Sequence, residues 1–265
     1  MRILFIGDID GRPGRQACKI AIPKLREQFG AFDFVLADGE NAAAGFGLTE
    51  SVMRELFACG IDILTNGNHV WDKKEFVPFL DSEPNLLRPA NHPQGTPGRG
   101  YGVFEKNGKK LAVICMLGRT FMPPLECPFK CASELLKAND TAAVFVDFHA
   151  EATSEKYAFG RFVDGQVSAV VGTHTHVQTA DEQVFRGGTA YITDVGMTGG
   201  HGGIIGMSYE SVLPKFLYGT PCKFEICTEN VRFQAVVIDI DDETGRAMDI
   251  KRVDIPISRD TSENA

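Results

Sequence analysis

The sequence predicts a layered α/β sandwich, and three observations carry that prediction. Short apolar runs rich in β-branched and aromatic residues alternate with segments of helical spacing, the pattern of βαβ units. Beyond Lys223, strand-like runs follow one another without a helix between them, which predicts a second sheet packed on the first. The chain has 265 residues, 43 % of them hydrophobic, enough for a sizeable core in one domain over residues 1–255, with the polar residues 256–265 as a tail.

The elements follow in chain order. Residues 2–7 read as a short buried strand, and a helix over 14–29 follows, which Pro23 should kink or end early. Residues 32–38 are the second strand. Thr49 caps a helix over 51–59 that stops at Gly60, and 61–65 are the third strand. A short helix is expected over 73–80. Further strands are expected over 111–117, 142–149, 167–172 and 190–195, with helices over 132–138 and 152–162. Runs 223–227, 232–240 and 247–255 form a closing antiparallel set, and Asp-Asp-Glu-Thr-Gly at 241–245 is a hairpin turn.

Composition excludes several classes of function. Charged residues make up 23 %, too well balanced by apolar content for intrinsic disorder. The net charge is −8, so the basic surface that a nucleic-acid duplex needs is missing. The longest apolar run, residues 111–117, is far short of the roughly 20 residues of a membrane span. The opening Met-Arg-Ile-Leu-Phe-Ile-Gly-Asp is too short in apolar residues for a signal peptide. Seven scattered cysteines without a Cys-x-x-Cys pair read as reduced thiols, and hence a cytoplasmic protein. The spacings Cys127/Cys131 and Cys222/Cys227 are only marginally finger-like.

Polar residues collect in one kind of place: just after the apolar strands. Asp8, Glu40 with Asn41, Asn68 with His69, His149, and His174 with His176 each follow such a run. In open α/β folds, ligands bind beyond the carboxyl ends of strands. Singly, each is ordinary turn chemistry, and Asn66-Gly67-Asn68 alone would be a tight turn. His174 and His176 point the same way if the chain there is extended. Repetition at successive strand ends points instead to a metal site. No thiolate is among these residues, and imidazole, carboxylate and amide oxygen together suit Fe, Mn, Zn or Co. The donors outnumber one site, so two metals sharing a carboxylate is the economical arrangement.

Gly7-Asp8, Gly39-Glu40-Asn41, Gly67-Asn68-His69, His149 and Gly172-Thr173-His174-Thr175-His176 resemble the calcineurin-like metallophosphoesterases. A finer resemblance, to the bacterial YmdB-like branch, covers residues 7–15, 38–43, 65–72, 87–91, 147–156, 172–181, 190–199 and 237–241. It implies a four-layer α/β/β/α sandwich of two mixed sheets flanked by helices. It also implies a dinuclear-metal phosphodiesterase acting on 2′,3′- and 3′,5′-cyclic nucleotides, with iron foremost and manganese or zinc as alternatives, and a homo-oligomer. Carried onto this chain, Asp8, Glu40 and His176 hold one metal, and Glu40, Asn68, His149 and His174 the other. Asn41 lies beside the pair as a weak ligand or hydrogen-bonded to a bound oxygen. His69 faces the leaving group as general acid, and Asp72 would fix its tautomer. The implied nucleophile is a metal-bridging hydroxide. Two divalent cations bring ~+4, Asp8 and Glu40 return −2, and the hydroxide leaves about +1 to attract a phosphate.

The chain departs from the wider superfamily at Asp10, where a histidine is usual, and at Glu40, where an aspartate is usual. Asp10 beside Gly11 and Pro13 reads as a solvated loop residue, with a metal ligand as the alternative. Segments 88–102 and 118–131 are either lids whose arginines clamp phosphate or ordinary surface excursions. His92 and His201 stand outside the metal set, and Trp71 is either a base-stacking or a core residue. The rival functions are a phosphomonoesterase or phosphoprotein phosphatase on the same metals and a non-catalytic metal-binding scaffold.

Overall fold

The computed structural model describes residues 1–258, so the expected polar tail from 259 onward lies outside the described residues. In chain order the elements are β1 (Arg2–Ile6), β2 (Asp8–Ile9), α1 (Gly11–Phe29), β3 (Phe34–Asp38), α2 (Glu50–Ala58), β4 (Ile63–Thr65) and α3 (Val77–Ser82). There follow β5 (Tyr101–Lys106), β6 (Lys109–Leu117), α4 (Pro128–Ala138), β7 (Val144–His149), α5 (Thr153–Phe162), β8 (Ala169–Thr173), β9 (Gln183–Val184) and β10 (Ala190–Ile192). The last are β11 (Met197–Gly200), α6 (Tyr209–Tyr218), β12 (Val231–Ile240) and β13 (Ala247–Pro256).

One sheet runs β2-β11-β12-β1-β3-β4, with β13 paired to β12, and the other runs β5-β6-β7-β8-β10-β9. The closing strands β12 and β13 therefore do not form the second sheet expected of them but join the first, because β12 pairs antiparallel with β1. Strand alternation builds the layers. Ile3 and Phe5 of β1 join Phe145 and Val171 of the other sheet in a central apolar layer. Leu4 and Ile6 turn the other way and meet Ala17, Ala21 and Leu25 of α1 and Leu56 of α2. On the far side, Ile114 and Val146 meet Ala132 of α4 and Phe159 of α5. The result is the four-layer α/β/β/α sandwich implied by the resemblance.

Helix α1 runs on through Pro23, so the early end that was one of the two expected outcomes does not occur. Its buried face continues on both sides of the proline, through Ala21, Ile22 and Leu25. Burial of one such aliphatic residue brings ~1.5–3 kcal/mol, comparable with the ~3 kcal/mol cost of an interior proline. Several elements were not expected from the sequence, β5 and α6 the longest among them. Strand β5 pairs with β6 through Asn107-Gly108, both at positive φ (53° and 76°). That dipeptide is a strong hairpin signal. Helix α6 is capped by the Ser208 side chain and ends at the left-handed Gly219, but Pro214 inside it hides the pattern. The strand expected over 223–227 reduces to a single bridge between Ile226 and Met207. No helix among the described residues is long and apolar enough to cross a membrane.

Strands β1, β3 and β4 run parallel, as do β6, β7, β8 and β10. The ends of β3 and β7 meet across the central layer, where His149 Nδ1 lies 3.0 Å from Asp38 Oδ2. The carboxyl ends of both sheets therefore share one edge, and the polar residues of the sequence pattern stand there.

Candidate metal centre

The tightest cluster surrounds His149 Nε2. Glu40 Oε1 is 3.0 Å away, His174 Nδ1 3.0 Å and Asn68 Oδ1 3.1 Å. The other ring nitrogen, Nδ1, sits at 3.0 Å from both Asp38 Oδ2 and Thr173 Oγ1. With Nδ1–H donated to Asp38, Nε2 presents a lone pair to three further lone-pair donors. Four such atoms at this spacing repel unless a positive charge sits among them. Burial works against an imidazolium at His149, yet Glu40 and Asp38 outweigh it and hold its pKa well above the ordinary value. With His174 Nδ1 and His149 Nε2 both unprotonated, the cluster is one that a cation, a proton or a metal, completes.

Asp8 anchors the neighbouring cluster. Its Oδ1 lies 3.6 Å from His176 Nε2 and 4.0 Å from His149 Nδ1, and its Oδ2 accepts the His174 N–H at 3.2 Å. The Asn41 amide is 3.0 Å from His176 Nε2. Burial pushes the Asp8 carboxyl up, but His176 and His149 pull it below the usual carboxylate range. His176 is lifted to about 9 by Asp8 against the opposing effect of burial. His174 is pushed down to about 3 by burial and by His149, so its imidazole is neutral and free to ligate.

The donor set fits a metal by an independent criterion. Asp8 Oδ1 and Glu40 Oε1 are buried and have no hydrogen-bond partner, a costly arrangement for a carboxylate unless a cation takes the oxygen. Glu40, His149 and His174 present ligand atoms within 4.8 Å of one another, and so do Asp8, Asp38 and His149. Asp38 is better placed as an outer partner, because its oxygens are already used by His149 Nδ1 and the Glu40 N–H.

Asp10 corrects the expectation of a solvated loop residue. It is fully buried, and neither carboxylate oxygen has a partner. Its backbone pairs with Thr198, which draws the residue under the β11 edge before α1 begins. Burial lifts its pKa to about 7.

His174 and His176 converge in a way that an extended chain does not explain. Both adopt positive φ, 96° and 63°, which costs a non-glycine residue ~1–3 kcal/mol each. The residue between them holds the loop down. Thr175 donates its N–H and its hydroxyl to Asp194 Oδ2, at 3.1 and 2.7 Å. The same oxygen receives the buried Lys156 ammonium at 2.7 Å.

His69 stands beside the first cluster. Its N–H donates to Glu40 Oε2 at 2.7 Å, and its Nδ1 meets Asp72 Oδ2 at 2.8 Å. Gly67, just before this turn, is required by close approach, since a Cβ there would lie 2.2 Å from His149 Nε2. Gly67→Ala is expected to destabilise the fold by ~1–3 kcal/mol through overpacking, measured by denaturant unfolding. An unchanged midpoint would contradict the tight contact.

Other sequence candidates fall outside the site. Arg88 spends its guanidinium on the carbonyls of Pro89, Thr96 and Pro97, and so staples its own loop. Arg119 reaches Cys127 Sγ. Trp71 meets His92 edge-on at 5.3 Å and packs against the outer core. His201 bonds the Met197 carbonyl, and all seven cysteines are free. Asp38, Thr173 and Asp194 were given no role from sequence. The available signal was a carboxylate within or directly after an apolar strand, where burial obliges it to find a partner.

The two-sheet sandwich with this donor set at its edge defines a metallophosphoesterase. The chain belongs to the YmdB-like family, whose model matches residues 4–253. It is 53 % identical over 255 residues to the 2′,3′-cyclic-nucleotide 2′-phosphodiesterase of Bacillus subtilis, covering 96 % of each chain. The crystal structure of a hypothetical protein from Thermus thermophilus superposes with a TM-score of 0.91 at 43 % identity, covering 97 % of this chain and 99 % of that one. A novel phosphatase from Mycoplasma pneumoniae gives 0.92 at 33 % identity, with 97 % and 93 % covered.

Proposed function

We propose that residues 1–255 act as one domain, a metal-dependent phosphodiesterase that hydrolyses nucleoside 2′,3′-cyclic phosphates and also 3′,5′-cyclic ones. One observation carries the proposal. The strand-end acids, amides and histidines of both sheets meet at a single edge, and Glu40, Asn41, His69, His174 and His176 also line a cavity of about 270 Å³. The activity named for the B. subtilis relative supports a cyclic nucleotide as substrate.

In this proposal Asp8, Glu40 and His176 hold one transition metal, and Glu40, Asn68, His149 and His174 the other, with Asn41 alongside and iron as the favoured ion. When bound, such a pair supplies an activated water near neutral pH and Lewis-acid stabilisation of the phosphoryl oxygens. Asp38 fixes the His149 tautomer so that Nε2 stays bare for a cation. Asn68 ligates through a neutral amide, so the site retains net positive charge for an anionic phosphate. Asp72 holds His69 Nδ1–H and leaves Nε2 to carry the transferable proton. Water adds to phosphorus and releases a proton to solvent, the P–O2′ bond breaks, and the departing 2′-oxygen takes its proton from His69, which solvent then reprotonates. A nucleoside 3′-monophosphate results.

The test compares 2′,3′-cAMP, bis-p-nitrophenyl phosphate and p-nitrophenyl phosphate on protein loaded with iron or manganese. Both diesters are expected to be cleaved faster than the monoester. A preference for the monoester would make the chain a phosphomonoesterase, and inactivity with metal bound would make it a scaffold. Elemental analysis should find two transition-metal equivalents per chain.

A further inference from the structure

The cavity beside the metal centre has an apolar part that the hydrolytic chemistry does not use. Phe46 meets His69 edge-to-face, with ring centroids 5.0 Å apart. Phe224 lies beyond Phe46 at 6.3 Å, and the two rings are within 27° of parallel. Ile205 and Met207 extend the wall, and Phe216 of α6 stands at its rim, 74 % exposed. Phe46 and Phe224 are only half-buried, and neither packs against an apolar core cluster. Lys215 is the one charged side chain on this apolar part of the wall, and its ammonium rides over the Phe224 ring at 5.1 Å.

These rings are placed where a nucleoside would bring its base. A cyclic phosphate at the donor cluster with its 2′-oxygen toward His69 puts the base one ribose away, on the side Phe46 occupies. Two aromatic faces clasp a flat base at roughly twice the ~3.5 Å carbon contact distance. The two rings are close to parallel, and side-chain adjustment on binding sets their spacing.

We propose that Phe46 and Phe224 form a stacking site for the substrate's nucleobase, one that grips every base and selects none; this rests on the cyclic-nucleotide assignment above. The chemistry of the wall sets its tolerance. Every base has a π-face, so stacking does not discriminate, and reading an identity needs hydrogen-bond partners at the base edge. Among side chains, the apolar part of this wall supplies Lys215 alone. Trp71, the aromatic residue that the sequence offered for stacking, is occupied by His92 and the core.

The experiment has two arms on metal-loaded protein. In the first, calorimetry measures adenosine, a nucleoside without phosphate. Phe224→Ala and Phe224→Leu are expected to weaken it about tenfold, and Phe224→Tyr to retain it. The leucine variant keeps the apolar bulk, so a tenfold loss there reports the lost π-face. In the second arm, kcat/KM for 2′,3′-cAMP is divided by that for glycerol 1,2-cyclic phosphate, which has the ring diester but no base. The ratio should fall about tenfold in Phe46→Ala and Phe224→Ala. KM for the four common nucleoside 2′,3′-cyclic phosphates should agree within about fivefold. Failure of the wild type to bind adenosine, undiminished binding in the leucine variant, an unchanged ratio, or strong selection of one base would each overturn the stacking site. Cleavage of neither cyclic phosphate, with adenosine bound and lost on substitution, would overturn the phosphodiesterase assignment and leave the stacking site standing.

Discussion

Glu40→Gln is expected to strip transition metal from the protein and to lower diester hydrolysis by on the order of 10³-fold. Glu40 does two separable things. Its Oε2 accepts the His69 N–H and so pins the turn that carries Asn68 and His69. Its Oε1, buried and without a hydrogen-bond partner, faces His149 Nε2 at 3.0 Å. Glutamine keeps the shape and an oxygen for the His69 N–H, but it removes the charge. If Glu40 served only the turn, the glutamine variant would keep its metal and its rate. If Glu40 is the shared anion of two cations, the variant loses the carboxylate on which both depend. Metal-derived charge stabilisation amounts to several kcal/mol, and each 1.36 kcal/mol is tenfold in rate. Metal content by elemental analysis and turnover of bis-p-nitrophenyl phosphate check the prediction together. A full metal complement in Glu40→Gln would remove Glu40 from the centre.

Much of this arrangement was legible in the sequence, for a physical reason. Strand ends are punctuated by a change from apolar to polar residues, and that change is visible without coordinates at Asp8, Glu40, Asn68, His149 and His174. The convergence of these ends follows from parallel pairing, which alternation of strands and helices already implies. Less legible were features that depend on tertiary packing. The solvated setting expected for Asp10 came from its neighbours Gly11 and Pro13, but pairing with Thr198 under β11, a partner remote in sequence, buries it. The histidine loop was expected to be extended, and its left-handed form is held by Asp194 and Lys156, each from a different element. Helix α6, which lends Phe216 to the cavity rim, was masked by Pro214.

Loss of His69 is expected to separate two substrates that the proposed metal centre would treat alike. His69→Ala should lower kcat on 2′,3′-cAMP by ~10²–10⁴ while changing bis-p-nitrophenyl phosphate hydrolysis several-fold at most. The difference lies in the leaving groups. A ribose alkoxide is a strong base and departs slowly without a proton, whereas p-nitrophenolate departs as a stable anion. A residue that only positions Asn68 or Glu40 would affect both substrates equally, because in the proposed mechanism both would need the same metals. The His69 N–H bond to Glu40 comes from the backbone and survives the substitution, so the metals should remain. Asp72→Asn probes the same step from behind. It weakens the 2.8 Å contact at His69 Nδ1 and is expected to cost ~10–100-fold on the cyclic nucleotide. Equal losses on both substrates in His69→Ala, or unchanged turnover of 2′,3′-cAMP, would remove His69 from proton transfer. A loss confined to the poor leaving group assigns the proton to it.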